Sequence, residues 1–148
     1  MTVLFPHFGI LVEDLERSAR FYVEALGFEL ATERTRASDV GQLVGLPGAD
    51  AETLFVSHPS GGRIELHRFT GYDVVGERAR PANTRGLSHL CFVVDDLVAV
   101  GARIRQHGGE VIEQSAVAKD YGKLVFCRDP DGVRIELVQM TGTYPAAG

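Results

Sequence analysis

The 148-residue chain has no tryptophan and only two cysteines, Cys91 and Cys127. Their spacing fits no metal-binding cysteine pair, and two thiols make no disulfide framework. Both are therefore expected to be reduced, as in the cytoplasm. No apolar run approaches the roughly 18 residues of a membrane span. The segment from Met1 to His7 lacks a basic stretch and a long apolar core, so no secretory leader is expected. Positive charge is in the minority: 15 Lys and Arg against 20 Asp and Glu, a net charge of −5. That excludes the electrostatic footprint of a nucleic-acid or anionic-membrane binder. What is present is 45% hydrophobic and 24% charged residues, which excludes a disordered chain. The expectation is a soluble cytoplasmic protein whose partner is a small-molecule substrate, not a nucleic acid or a membrane.

The most informative feature is an internal repeat. Pro59-Ser-Gly-Gly-Arg-Ile-Glu-Leu66 matches Pro130-Asp-Gly-Val-Arg-Ile-Glu-Leu137 at six of eight positions, with an offset of 71, and Phe55 matches Phe126 at the same offset. His7-Phe-Gly-Ile-Leu-Val-Glu-Asp-Leu15 lies over His89-Leu-Cys-Phe-Val-Val-Asp-Asp-Leu97 at an offset of 82, which also pairs Gly27 with Gly109. The difference, 82 − 71 = 11, places eleven extra residues in the first copy, assigned to the loop-like stretch Thr35–Ala51. The chain thus divides into a first module over 1–67, a Gly-, Arg-, Pro- and Asn-containing linker over 68–86, and a second module with a C-terminal tail over 87–148.

Each copy reads as βαβββ. A short apolar strand (3–12; 88–94) leads into a helix capped by Asp14 or Asp96. Apolar residues then recur at helical spacing: Leu15, Ala19, Tyr22 and Leu26; Leu97, Val100 and Ile104. Gly27 and Gly108-Gly109 end the helices. Strand material follows (28–34; 110–117), and a hairpin closes each copy (53–57 with 63–69; 123–127 with 133–140). The expected class is α+β: two tandem βαβββ modules, each a mixed sheet with its helix on the convex face.

Strand residues alternate between faces. Phe8, Ile10, Val12, Ile64 and Leu66, with Leu90, Phe92, Val94, Ile135 and Leu137, form apolar faces suited to lie under the helices. The opposite faces carry His7, Gly9, Leu11, Glu65 and His67 in one copy, and His89, Cys91, Val93, Glu136, Val138 and Met140 in the other. A His on the first strand and a Glu on the last recur in both copies. Strand interiors disfavour Glu, and a buried carboxylate needs a partner. Two His and two Glu converging in one groove are what a divalent cation requires. The plainer alternative pairs each Glu with its neighbouring arginine, Arg63 or Arg134. His67 is expected at an exposed strand end, Cys91 as a small buried filler, and Tyr121-Gly122 at a pocket rim. Tyr72, Arg78, Arg80 and Arg85 lie in or near the linker, where an arginine could meet a carboxylate or phosphate.

The arrangement resembles the vicinal oxygen chelate superfamily, which includes glyoxalase I, methylmalonyl-CoA epimerase, extradiol dioxygenases, fosfomycin-resistance enzymes and bleomycin-binding proteins. The resemblance runs from His7 to Met140. It is carried by the two His-containing motifs above, by Arg20-Phe21-Tyr22 and Leu26-Gly27-Phe28, and by Gly62-Arg-Ile-Glu-Leu66 and Arg128-Asp-Pro-Asp-Gly-Val-Arg-Ile-Glu-Leu137. It implies that the paired modules form a cup. It also implies one divalent metal ion (Zn, Ni, Co, Fe or Mn) on His7, Glu65, His89 and Glu136, the His-Glu-His-Glu set of glyoxalase I. Dioxygenases of the superfamily use two His and one Glu, and methylmalonyl-CoA epimerase usually has Gln where Glu65 stands.

The implied activity is a metal-dependent lyase or isomerase of the glyoxalase I type, moving a proton through a metal-stabilised enediolate on a substrate with vicinal oxygens. Glu136 is the expected base, with Glu65 its symmetric counterpart. The alternatives are epimerase-like racemisation, extradiol-type dioxygenation, and metal-free binding or resistance. Dioxygenation needs ferrous iron, oxygen and an open triad. Metal-free binding predicts ligand affinity that survives loss of His7 or Glu136. Open sheets of this kind also suggest a homodimer.

Overall fold

The computed structural model describes residues 2–142, so the end of the C-terminal tail lies outside the described residues. The chain separates into two compact units, Met1–Gly76 and Glu77–Gly148. In the first, β1 (Phe8–Leu11), α1 (Leu15–Leu26), β2 (Glu29–Leu30), β3 (Thr35–Ala37), the single turn α2 (Gly41–Val44), β4 (Asp50–Ser57) and β5 (Arg63–Thr70) follow in order. In the second come β6 (Leu90–Val94), α3 (Leu97–Gln106), β7 (Glu110–Lys119), β8 (Gly122–Arg128) and β9 (Arg134–Met140).

The two sheets have the same topology. The first runs β1-β5-β4-β2, with β3 also on β4; the second runs β6-β9-β8-β7. The opening strand of each is parallel to the closing strand, β1 to β5 and β6 to β9, and the remaining pairs are antiparallel. Two mixed sheets, each with one long helix, are the α+β, βαβββ pair that the repeat implies.

The helix ends behave as their sequences require. Asp14 accepts a hydrogen bond from Arg17 N and Asp96 from Ala99 N, both at 2.9 Å, filling a backbone donor that the first turn leaves open. Gly27 closes α1 at φ 76°, a left-handed conformation open to glycine, and lets Phe28 N return to Tyr22 O. Leu15, Phe21, Tyr22 and Leu26 of α1 are buried over Leu54, Val56, Ile64 and Leu66 of the sheet. In the second unit Val100 and Ile104 cover Val125, Ile135 and Leu137. Burying side chains of this size stabilises by about 1.5–3 kcal/mol each before chain entropy is counted.

The extra residues of the first copy are not bare loop. Thr35–Ala37 pairs with β4, and the Thr35 and Thr53 hydroxyls lie 2.7 Å apart. An edge strand that is continuous, though bulged, in the second unit (β7) is thereby split into β2 and β3. At both irregularities a hydroxyl substitutes for the missing ladder acceptor. Phe55 N donates to Thr32 Oγ1 at 3.1 Å, and Phe126 N to Ser115 Oγ at 2.8 Å. The opening strands are shorter than the apolar runs suggest, so His7 and His89 each stand one residue ahead of a strand. Among the described residues no helix is long and apolar enough to cross a membrane.

Candidate functional site

The parallel ladder of the first unit sets Gly9 beside Glu65, and that of the second sets Cys91 beside Glu136. Two residues upstream of each, a histidine turns its ring toward the glutamate. His7 Nε2 lies 3.3 Å from Glu65 Oε2, and His89 Nε2 lies 3.4 Å from Glu136 Oε2. All four side chains are partly covered, between 19% and 34% exposed. Each unit therefore joins its predicted His to its predicted Glu. Among the described residues, no three of His, Cys, Asp and Glu converge closely enough within the structure to hold an ion by themselves.

The surroundings of the two pairs are also duplicated. Phe55 stands opposite Glu65 on the β4–β5 ladder, and Phe126 opposite Glu136 on β8–β9. His7 meets the Phe55 ring edge-on at 5.4 Å between centroids, and His89 meets Phe126 in the same way at 5.4 Å. These nearly perpendicular ring contacts limit how far each imidazole can turn. Ser88 Oγ adds a 3.0 Å contact to His89 Nδ1.

The arginine alternative fails. Among the described residues neither Arg63 nor Arg134 pairs with its neighbouring glutamate. The Arg63 guanidinium lies 4.2 Å from the Phe55 ring centroid, and Arg134 lies 5.9 Å from that of Phe126. Arg134 is further held by donating to Arg80 O at 2.8 Å.

Two expectations require correction. His67 is not at an exposed strand end: β5 continues to Thr70, and His67 is half-buried with its ring edge-on to Phe69 at 5.4 Å. Burial pushes its pKa down; the Glu65 charge opposes that shift and His7 adds to it. Cys91 is exposed, because β6 leaves that face uncovered at this position, while Cys127 is fully buried with its thiol raised to about 11 by burial. Two of the linker side chains are tied to backbone: Tyr72 Oη donates to Pro47 O at 2.8 Å, and Arg80 to Leu87 O at 3.3 Å.

The donor chemistry fits a divalent cation. Two ligands bonded at about 2.1 Å to one ion stand roughly 3.0–3.4 Å apart for octahedral to tetrahedral angles. Both His–Glu separations fall in that range. Imidazole with carboxylate suits Zn and its first-row neighbours.

Comparison with known proteins agrees with this reading of the fold. The family model described as the Glyoxalase/Bleomycin resistance protein/Dioxygenase superfamily matches residues 4–137. The chain belongs to that superfamily, the vicinal oxygen chelate group that its motifs resemble. Among curated proteins it is 28% identical over 143 residues to a lactoylglutathione lyase of Haemophilus influenzae, covering 96% of each chain. It is 29% identical over 150 residues to a lactoylglutathione lyase of Pseudomonas putida, covering 93% of this chain and 86% of that one. Among solved structures, a glyoxalase family protein from Bacillus cereus aligns with a TM-score of 0.81 at 26% identity, covering 96% of this chain and 97% of that one.

Proposed function

We propose that the protein is a metal-dependent lyase or isomerase of the glyoxalase I type, with His7, Glu65, His89 and Glu136 as ligands of a divalent ion. The observation that carries this reading is the duplicated His–Glu pair, at 3.3 and 3.4 Å, each set against a phenylalanine at the same separation. Its relatives named lactoylglutathione lyase support the reaction class.

A divalent ion in such a site would polarise a substrate carbonyl and acidify the neighbouring C–H. The chain's own contribution is proton transfer and positioning. Glu136 takes the proton from the carbon beside the carbonyl and returns it to the adjacent carbon. It suits this task better than Glu65. Glu65 shares its side of the sheet with two imidazoles, His7 and His67. Among the described residues of its own unit, Glu136 has His89 as its imidazole neighbour, and the strand position corresponding to His67 is Val138. Phe55 and Phe126 keep the histidines oriented and shield one side of each carboxylate from water.

The first test is metal content of protein purified without chelator, with His7→Ala and Glu136→Ala alongside. The expected result is one divalent ion per chain in the parent and loss in both variants. Turnover of the hemithioacetal of an α-ketoaldehyde and a thiol is then followed in the loaded parent. A parent that neither carries nor takes up metal overturns the proposal.

A further inference from the structure

Arg63 differs from the other arginines of its unit that make described ion pairs. Arg34 reaches Glu16 and Glu52, Arg36 reaches Asp50, and Arg68 reaches Glu52. Arg63 has no carboxylate partner among the described residues. Its Nε is buried and has no hydrogen-bond acceptor. A buried donor left unmatched is costly, and native structures rarely retain one without a use. The guanidinium is nonetheless well placed, centred 4.2 Å from the Phe55 ring, whose edge contact with His7 and position opposite Glu65 put all four side chains on one side of the sheet. A guanidinium held on an aromatic ring can still offer its terminal N–H groups to a planar anion.

The repeat supplies an internal control. Arg134 occupies the equivalent position, two residues before Glu136, but is farther from its ring at 5.9 Å and spends its guanidinium on Arg80 O. The next position on that side of the strand is likewise polar in one unit, His67, and apolar in the other, Val138. The first unit thus keeps an uncommitted cation beside its glutamate, and the second does not.

We propose that Arg63 binds a carboxylate of the substrate, so that the ligand is a small carboxylic acid whose anionic group lies a short chain away from its vicinal oxygens. Residues two apart on a strand are separated by about 6.8 Å, which sets that spacing from Glu65. The substrate class rests on the metal-centred reading above; the carboxylate site itself does not.

The decisive experiment follows the Arg63 Nε–H resonance by nitrogen-edited NMR in metal-free protein, assigned by its absence from Arg63→Lys. Glutarate should shift this resonance saturably, neutral glutaramide should not, and the Arg134 Nε–H should move little. In cobalt-loaded protein, 2-oxoglutarate should bind about tenfold more tightly than 2-oxovalerate, which has the same vicinal oxygens without the distal carboxylate. Arg63→Gln should bring the two to parity, and Arg134→Gln should leave the preference in place. Equal shifts at both arginines, a shift that stays linear through the titration, or a preference unchanged in Arg63→Gln overturns the assignment. If the protein takes up no metal, the functional reading fails while the metal-free titration still decides the role of Arg63.

Discussion

Phe55 stands directly opposite Glu65 on the β4–β5 ladder and takes the His7 ring against its edge, so one side chain braces both members of a proposed ligand pair. Phe126 does the same for Glu136 and His89. Removing the brace should leave the donors present but free to rotate. Phe55→Ala and Phe126→Ala are each expected to weaken metal affinity about 10–100-fold, the usual cost of losing a group that orients ligands. Competition with a chromogenic chelator measures this. Affinity equal to the parent in both variants would show that the rings only fill space.

The assignment of Glu136 as base predicts an asymmetry between two residues that the repeat makes equivalent. Glu136→Gln should retain metal, weakened, and lose about 10²–10⁴-fold in turnover. Glu65→Gln should lose less. Exchange of the substrate C–H proton with deuterated solvent, followed by NMR, isolates the proton-transfer step. Full turnover in metal-loaded Glu136→Gln would place the base elsewhere.

The proposed ligands were legible because the sequence states them twice. A His before one strand and a Glu in another, recurring at repeat-equivalent positions, mark one side of each sheet without any knowledge of packing. Helix limits were equally legible, since Asp14, Asp96 and Gly27 act through the backbone next to them. The states of His67, Cys91 and Arg63 were not. Whether His67 is covered depends on how far β5 runs, and whether Arg63 finds Glu65 or Phe55 depends on how the neighbouring strand β4 pairs with β5. The division of one edge strand into β2 and β3 was hidden for a related reason: the extra residues pair with β4 through tertiary contacts, not through a local pattern.

The hairpin turns offer a comparison of two chemical solutions to one geometry. In the second unit the Asp129 carboxylate accepts from Asp131 N at 2.9 Å and Val133 N at 2.8 Å, and Asp129 is 3% exposed. In the first, His58 Nδ1 accepts from Ser60 N at 3.2 Å, and the backbone bond from His58 N to Gly62 O repeats that from Asp129 N to Val133 O. Asp129→Ala should cost about 2–3 kcal/mol, because two donors lose a charged acceptor inside a covered turn. His58→Ala should cost less, since its turn is open to water, although it also forfeits the ring contact with Phe28. Urea unfolding of the two variants gives the order, and a smaller loss for Asp129→Ala would contradict it.

Arg34 ties α1 to the sheet by reaching Glu16 on the helix and Glu52 on β4, each at 2.8 Å. Its hydrogen bond holds the Glu52 carboxyl below the ordinary value of 4.5, with further help from the charges of Arg34, Arg68 and Arg36 and against the opposing effect of burial. A carboxylate whose pKa is lower in the folded chain stabilises the fold above its unfolded value, and that contribution disappears as pH falls through the lower, folded value. Arg34→Met should therefore lower the melting temperature at pH 7. The gap to the parent should close as the solution is acidified from about pH 5 to below the depressed pKa of Glu52. Arg34 and Glu16 stand in solvent while Glu52 is mostly covered, so the effect should be modest and should shrink with added salt. A gap that persists unchanged at low pH and high salt would assign the contribution of Arg34 to packing of its aliphatic stem instead of its charge.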